Sequence, residues 1–403
     1  MKRIVSIIPK LKSGSAVLRT FGIPEYEGIT RFKKTVLLSA FMGLSILIVL
    51  MPHSSGELNP VGEDTTIYFN WAQDLRASED VEHFAELIFS GIQAGDRPLS
   101  LLILYIILDI FDNDKVTAFE IFLPAILAPL LVLSIYFLTR EISKSALVSL
   151  AASLVTALSF QIMIGVYAGL FANWIALVLG YISLWLAVRF LNTESRKYMI
   201  YFSISMTALL FSHSYTWTII TTFLIIFLIV LRWKKIYRSK SIRTLFIIVI
   251  CVVGIDLAKS ILIESSSAIQ RNVTIAESTE VGLSEFSERW TVLVRTVNVF
   301  LGGIFGNVII LSLVLYCSMM FKFKNLVGYF FMVFISLGIL PFFYGDKILQ
   351  SRVLYDIPFQ IPAGLALASV FVSRNGKLIS IVIGASLLAI ALYTMTNLGV
   401  APR

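Results

Sequence analysis

The sequence predicts an all-α, polytopic integral membrane protein with about eleven transmembrane helices. Of its 403 residues, 57% are apolar and only 14% are charged, and the mean hydropathy is +0.86. Soluble domains carry far more charge than this. Apolar runs of bilayer-spanning length also recur from residue 35 to residue 400, separated by short polar breaks. Together these observations favour one membrane domain over several soluble cores.

The individual spans are predicted from runs close to the ~20 apolar residues that cross a bilayer. They are 35–52, 121–139, 146–165, 172–190, 198–213, 217–233, 244–263, 291–320, 325–344, 355–373 and 378–398. The run 98–111 is shorter, contains Asp109 and is followed by Asp112 and Asp114. We expect it to lie at the membrane interface or to re-enter the membrane rather than to span it.

The basic residues predict the orientation of the chain. With eleven spans, 23 of the 33 lysines and arginines fall on the side of the N-terminus, as expected for the cytoplasmic side of a plasma membrane. A basic cytoplasmic segment, 1–34, therefore precedes a single membrane domain, 35–403, with outer loops at 53–120, 264–290 and 345–354. Because the cations lie in short clusters between apolar runs, they do not indicate a nucleic-acid partner despite the net charge of +8.

The first outer loop is acidic. Between residues 53 and 97 it carries nine carboxylates against two arginines, a net charge of −7. Apolar residues recur there at helical spacing over 67–75 and again over 81–88, after a Ser78 N-cap. This pattern predicts two short amphipathic helices that lie on the outer leaflet.

Adjacent acids, Glu63 and Asp64, come directly before the first of these helices. One interpretation is a helix N-cap with charge in the first turn. The other is a carboxylate held at the membrane surface, where it could deprotonate an acceptor hydroxyl or bind a divalent cation. One residue could serve both purposes.

Two outer arginines have comparable alternatives. Arg97 stands between Asp96 and a proline that opens an apolar segment, which is typical of an interfacial ion pair or of an arginine that binds a phosphate. Arg352, near Lys347, departs from the positive-inside trend. It is interpreted as a headgroup anchor, as a partner of Asp356, or as a bidentate ligand of a lipid phosphate.

Polar residues also occur in two tight outer turns and within one span. Asn173 would be a donor or ligand if the turn 167–174 faces a cleft, and His213 beside Tyr and Trp is typical of an interfacial belt. Asp256 and Lys259 lie three residues apart in the seventh span. They indicate a structural ion pair or, with Arg295, the mid-membrane charges of a transporter.

The order of these features resembles the GT-C class of membrane glycosyltransferases, which includes protein O-mannosyltransferases, aminoarabinose transferases and oligosaccharyltransferase catalytic subunits. The resemblance covers most of the chain as architecture. Its short motifs are Glu63-Asp64 after the first span, Pro98-Leu99, Thr139–Ile142, the outer turn Tyr167–Trp174, and Arg352 followed by Tyr355 and Pro358.

The resemblance implies an inverting, hexosyltransferase-type enzyme that transfers a sugar from a polyprenyl-phosphate-linked donor, outside the membrane, to a glycan, lipid or protein acceptor. It makes Asp64, beside Glu63, the catalytic base or a ligand of Mg²⁺ or Mn²⁺. It also implies that the donor phosphate is bound by Arg352, Arg97 and Lys347. The residues that it implies for the substrate cleft are Tyr68, Asp96, Asn173, His213 and Tyr355.

Two departures from the family pattern bear on the metal and on the acceptor. Asn173 stands where oligosaccharyltransferase-like members have an acid, which argues against a metal, and no large soluble C-terminal domain follows, which argues against peptide recognition. A secondary transporter or flippase for a lipid-linked or small anionic substrate is the alternative, and a non-catalytic membrane scaffold is the third. Against transport, the sequence lacks paired Gly- or Pro-broken helices in two halves.

Overall fold

The computed structural model describes residues 29–54, 60–262, 290–291, 294, 308–320, 326–343, 347–373 and 376–398, with backbone alone at 94, 320, 339–343, 347–351 and 398. Within these ranges all regular structure is helical. The α-helices are α1 Arg31–Leu50, α2 Thr65–Arg76, α3 Val81–Glu86, α4 Pro98–Ile110, α5 Leu123–Ser143, α6 Ala146–Ala157, α7 Phe160–Tyr167, α8 Phe171–Thr193, α9 Arg196–Ser212, α10 Ser214–Trp233, α11 Ser239–Leu262, α12 Val308–Met320, α13 Leu326–Phe343, α14 Lys347–Asp356, α15 Gln360–Val372 and α16 Gly376–Leu398.

Seven helical stretches of the described residues are long and apolar enough to cross a membrane. They are Arg31–His53, Val116–Ser143, Ala146–Tyr167, Phe171–Thr193, Ser214–Trp233, Ser239–Leu262 and Gly376–Asn397. Shorter apolar helices occur at Pro98–Ile110, Val308–Met319, Leu326–Gly338 and Gln360–Val372. An all-helical integral membrane protein is thus confirmed, whereas eleven spans and their orientation stay predictions. The segment 1–28, the outer loop 264–289 and Arg295 lie outside the described residues.

The acidic loop after α1 contains both amphipathic helices that the spacing predicts. The first is α2, and the second, α3, continues through a π-helical turn, Leu87–Gly91. Its N-cap is Asp80, whose carboxylate accepts the His83 amide at 2.8 Å, and the expectation of a Ser78 cap is wrong. The Ser78 hydroxyl donates back to the Leu75 carbonyl at the end of α2 instead.

The outer segment predicted as a loop at 345–354 is helical from Lys347 onward, as α14. Charge alone indicated a loop there, but the apolar residues between the charges repeat at a spacing that a helix accommodates. The consequence matters for the site, because Arg352 and Asp356 now lie one helical turn apart. The predicted span 355–373 is correspondingly interrupted, since α14 ends at Asp356 and α15 begins only at Gln360.

Side chains from neighbouring helices satisfy the backbone at this interruption. Gln161 Nε2 donates to the carbonyls of Tyr355 at 2.5 Å and Ile357 at 3.2 Å, and the Tyr181 hydroxyl donates to the Asp356 carbonyl at 3.1 Å. Unsatisfied backbone groups are costly within a membrane, so a broken helix persists only with such partners. Gln161 and Tyr181 therefore hold the C-terminal end of α14 against α7 and α8.

Close packing joins the two halves of the described chain. A Cβ atom built on Gly364 of α15 would lie 2.5 Å from the Ala152 Cα atom of α6, so only glycine permits this approach. Around this contact the buried apolar residues form one extensive core. The packing brings the N-terminal ends of α8 and α10 and the C-terminal end of α14 to the same end of the bundle as the acidic loop.

Candidate functional site

Asp64 occupies the N-cap position of α2, yet its carboxylate makes no hydrogen bond to the free amides of the helix. Backbone contacts hold it instead. The Glu63 amide donates to the Tyr167 carbonyl at 2.9 Å, and the Asp64 amide donates to the Ala168 carbonyl at 3.1 Å. Two segments that the sequence singles out separately, the acidic pair and the outer turn after α7, therefore lie against each other.

Gly169 makes this close approach possible. Its φ of +65° lies in the left-handed region, and a Cβ atom there would lie 3.1 Å from the Thr65 backbone nitrogen and 3.2 Å from that of Asp64. Glycine alone adopts this conformation freely and leaves the necessary space. Gly169 therefore allows the acidic segment to lie directly against the turn after α7.

Glu120 was not identified from the sequence, and it binds the segment that precedes α2. Its fully buried carboxylate accepts the amides of Val61 at 2.7 Å and Gly62 at 2.8 Å, and it also accepts the Thr65 hydroxyl. His53 Nε2 lies 3.3 Å away. Glu120 belongs to a π-helical turn, Val116–Phe122, and such turns are frequent at functional sites. The one available signal was a lone acid at the start of an apolar span.

The Arg97 guanidinium is held by three neighbours. Its Nε and Nη2 atoms donate to the Asp96 carboxylate at 2.6 and 3.0 Å, and Nη1 donates to the Tyr68 hydroxyl at 3.0 Å. The Trp71 ring lies beneath it, with the guanidinium carbon 5.4 Å from the ring centroid. Burial would lower the pKa of Arg97, but Tyr68 and Asp96 raise it above its usual value, so the charge is permanent.

A lysine from α11 fixes the segment that carries Arg97. Lys259 Nζ donates to the Gly95 carbonyl at 3.0 Å and lies 3.9 Å from the Asp256 carboxylate, and both side chains are buried. On the other side of the segment, the Ser214 amide at the start of α10 donates to the Asp96 carbonyl at 3.2 Å. The predicted ion pair exists, and it connects to the outer segment.

The electrostatics of Asp64 reflect burial and nearby arginines. Burial raises the pKa of Asp64 above its ordinary value of 3.8, the positive charges of Arg352 and Arg97 act to lower it, and Glu63 acts to raise it. The net effect is a raised pKa, which is typical of a carboxylate suited to act as a general base. The positive charges of both arginines therefore act on the same carboxylate.

A buried polar cluster lies at the C-terminal end of α14, the helix that carries Arg352. The Asn173 amide donates to the Thr216 hydroxyl and, at 3.4 Å, to the Asp356 carboxylate. The Thr216 hydroxyl also lies 3.4 Å from that carboxylate, and the Thr216 amide donates to the His213 ring at 3.3 Å. Through these contacts the helix that carries Arg352 is attached to the N-terminal ends of α8 and α10.

The predicted site residues thus fall into two layers. Glu63 is exposed, and Asp64 and Arg352 are partly exposed. Lys347 lies on α14, where the structure describes only its backbone. The residues predicted for the substrate cleft are buried, namely Tyr68, Asp96, Asn173, His213 and Tyr355. His213 serves as the N-cap of α10, and the Tyr355 hydroxyl donates to the Gln161 carbonyl at 3.0 Å. Direct contact of these five with a substrate stays a prediction.

The described residues around Asp64 do not form a three-ligand metal site. Among the described residues, no group of three or more His, Cys, Asp and Glu side chains could hold a metal ion. The Asn173 side-chain amide, which stands where oligosaccharyltransferase-like members have an acid, donates to Thr216 and Asp356. The cofactor of this site stays unknown, and each step proposed below is assigned to protein side chains.

Comparison with known proteins identifies the fold. No protein-family model matches this sequence, and no curated protein matches it. The structure of the oligosaccharyltransferase of Archaeoglobus fulgidus, in complex with Zn and sulfate, is similar with a TM-score of 0.59 at 16% identity. The fold is oligosaccharyltransferase-like. The match covers 88% of this chain but 53% of the archaeal one, so this chain spans about half the length of that protein. The GT-C-like fold is confirmed at this level.

Proposed function

We propose that this protein is a membrane glycosyltransferase that uses a polyprenyl-phosphate-linked sugar and acts on the outer side of the membrane. The observation that carries the proposal is the position and the electrostatic surroundings of the Asp64 carboxylate. This carboxylate lies at the start of α2 but makes no capping hydrogen bond to the helix. Asp64 is also partly exposed, and the positive charges of Arg352 and Arg97 act on its carboxylate. The oligosaccharyltransferase-like fold supports a transferase of this class.

In the proposed reaction, an acceptor hydroxyl attacks the anomeric carbon of the donor sugar. The new C–O bond forms as the bond between that carbon and the phosphate oxygen breaks, and the phosphate leaves with the electron pair. Asp64 takes the acceptor proton, which its raised pKa favours. A single in-line displacement of this kind inverts the anomeric configuration.

The arginines have different proposed parts in that reaction. Arg352 pairs with the donor phosphate and offsets the charge that grows on it, and Lys347, earlier on α14, adds a second cation. Because Asp96 and Tyr68 already occupy three guanidinium nitrogens of Arg97, its part is a fixed positive field near the phosphate rather than a bidentate grip. The apolar spans accommodate the polyprenyl tail.

The experiment uses the full chain reconstituted into sealed vesicles with a radiolabelled polyprenyl-phosphate sugar and a membrane-glycan acceptor fraction. Wild type should release polyprenyl phosphate, and Asp64→Asn should lose this release. Asp74→Asn is the matched control, since Asp74 is an exposed acid on the same helix. Unchanged turnover in Asp64→Asn would contradict the mechanism. Movement of label across the membrane without bond cleavage would favour the transport alternative.

A further inference from the structure

A polar cavity lies at the opposite end of the helices from the Asp64 site. The first residues of α8 contact that site, and its last residues line this cavity, which has a volume of about 720 Å³. A helix of 23 residues rises about 34 Å, comparable with the thickness of a membrane. The cavity is therefore at the other membrane face, which the predicted orientation makes the cytoplasmic one.

Six charged residues line this cavity, with cations in the majority: Glu141, Lys144, Arg189, Glu194, Lys235 and Arg238. Three helices end at the cavity, and the next helix begins there within a few residues. The pairs are α5 and α6, α8 and α9, and α10 and α11. The partial charges of these ends have opposite signs and largely cancel. The side chains therefore set the net charge, which is two positive.

Both carboxylates are already satisfied within the protein. Glu141 is buried and accepts Lys144 Nζ at 2.5 Å on one oxygen and Arg189 Nη1 at 3.0 Å on the other. Glu194 accepts Arg238 Nη1 at 2.7 Å and the Ser241 hydroxyl at 2.8 Å. These pairs orient the cations around the cavity and leave further guanidinium N–H groups for an anionic ligand, because each guanidinium carries five donors.

The backbone at the cavity is unusual as well. Lys144, Glu194 and Lys235 all adopt positive φ, at +58°, +54° and +54°, where glycine is the usual residue at a helix end. A side chain in this conformation carries a steric cost that glycine avoids. Three charged residues therefore stand, at some cost, where glycine would be the default, and all three line this cavity.

We propose that this cavity binds the phosphate of an anionic phospholipid headgroup in the leaflet opposite the Asp64 site. The excess of two positive charges attracts a phosphate diester, which carries a single negative charge, and arginine is well suited to phosphate oxygens. Lys235 is exposed, and the apolar Leu191 and Ile236 in the lining suit the acyl chains of such a lipid. A free phosphate shares this chemistry but lacks that apolar part.

The test measures binding to the full chain in neutral detergent by native mass spectrometry and thermal stabilisation. The probes are short-chain phosphatidylglycerol, the zwitterionic phosphatidylcholine of equal chain length, and inorganic phosphate. We expect phosphatidylglycerol to bind and to stabilise wild type, and Lys235→Glu to weaken its binding about tenfold. Lys197→Glu is the control, since Lys197 is an exposed cation at the same end of the helices but outside the cavity.

Arg238→Gln provides a second variant, because Glu194 keeps its Ser241 partner there, and it should weaken phosphatidylglycerol binding as well. Equal losses in Lys197→Glu and Lys235→Glu would overturn the cavity as the site. Equal binding of phosphatidylglycerol and phosphatidylcholine would overturn the requirement for an anionic headgroup. Stabilisation by inorganic phosphate as strong as that by phosphatidylglycerol would overturn the lipid as the source of the phosphate.

Discussion

The Glu120 carboxylate accepts a hydrogen bond of 2.8 Å from the Gly62 amide, two residues before Asp64. This contact joins the start of a long apolar helical stretch to the acidic outer loop, and it determines where the loop enters α2. The geometry of the proposed base thus depends on a buried residue that touches no substrate. Glu120 is a positioning residue, and its contribution can be measured.

Glu120→Ala should lower both stability and turnover. The change removes the acceptor of two buried amides, and each unsatisfied donor costs about 1–3 kcal/mol. Thermal unfolding in detergent measures the first effect, and polyprenyl phosphate release measures the second. Because the loop is displaced rather than the charge removed, kcat should fall more than KM rises. Glu82→Gln, an exposed acid on α3, should change neither quantity.

Gly169→Ala should destabilise the protein by about 1–2 kcal/mol, since a non-glycine residue with left-handed backbone carries a cost of that order. The added methyl group also meets the Thr65 and Asp64 backbone at just over 3 Å, so activity should fall with stability. Thermal unfolding is the measurement. Gly384→Ala in α16, where nothing lies within 4 Å of the new Cβ, should leave stability unchanged or raise it. Equal effects of the two substitutions would argue against a special role of Gly169.

The pH dependence of turnover should report the raised pKa of Asp64. A base is active when deprotonated, so release of polyprenyl phosphate should fall as the pH drops through a value above 3.8. The same raised pKa means that the folded state favours the protonated acid. Its contribution to stability is therefore present at low pH and is lost as the pH rises through the pKa of the folded protein.

Arg352→Gln tests the electrostatic link in that profile. Because Arg352 acts to lower the pKa of Asp64, its removal should move the acid limb of kcat/KM to higher pH, besides weakening turnover. The matched control is Arg76→Gln, an exposed arginine at the end of α2. A pH profile that stays in place in Arg352→Gln would show that the two residues are not coupled.

Lys259→Met should destabilise the outer segment that carries Arg97. It removes the hydrogen bond to the Gly95 carbonyl and the ion-pair partner of buried Asp256, a kind of loss that costs about 3–5 kcal/mol. The double variant Asp256→Asn/Lys259→Met should recover part of the stability, because the uncompensated charge is gone. Thermal unfolding of both variants measures this. Unchanged stability in Lys259→Met would contradict the structural role of this ion pair.

The composition, hydropathy and charge of the sequence sufficed for the class of protein. Spanning helices depend on local apolar content, so most of the predicted spans coincide with long or short apolar helices of the described structure. Asp64 and Arg352 could also be chosen from the sequence, because an acid or an arginine at the edge of a span is conspicuous against its neighbours. The short amphipathic helices of the acidic loop followed from periodicity for the same local reason.

Only the tertiary structure decided which of these residues meet and what holds them. Glu120 and Gln161 make hydrogen bonds to backbone far away in the sequence, and a single polar residue in an apolar run does not indicate its partner. The burial of Asn173 and His213 had the same cause, since burial depends on helices that pack against them rather than on adjacent residues. Local chemistry therefore determined the class and the candidate charges of this protein, and long-range packing determined their arrangement.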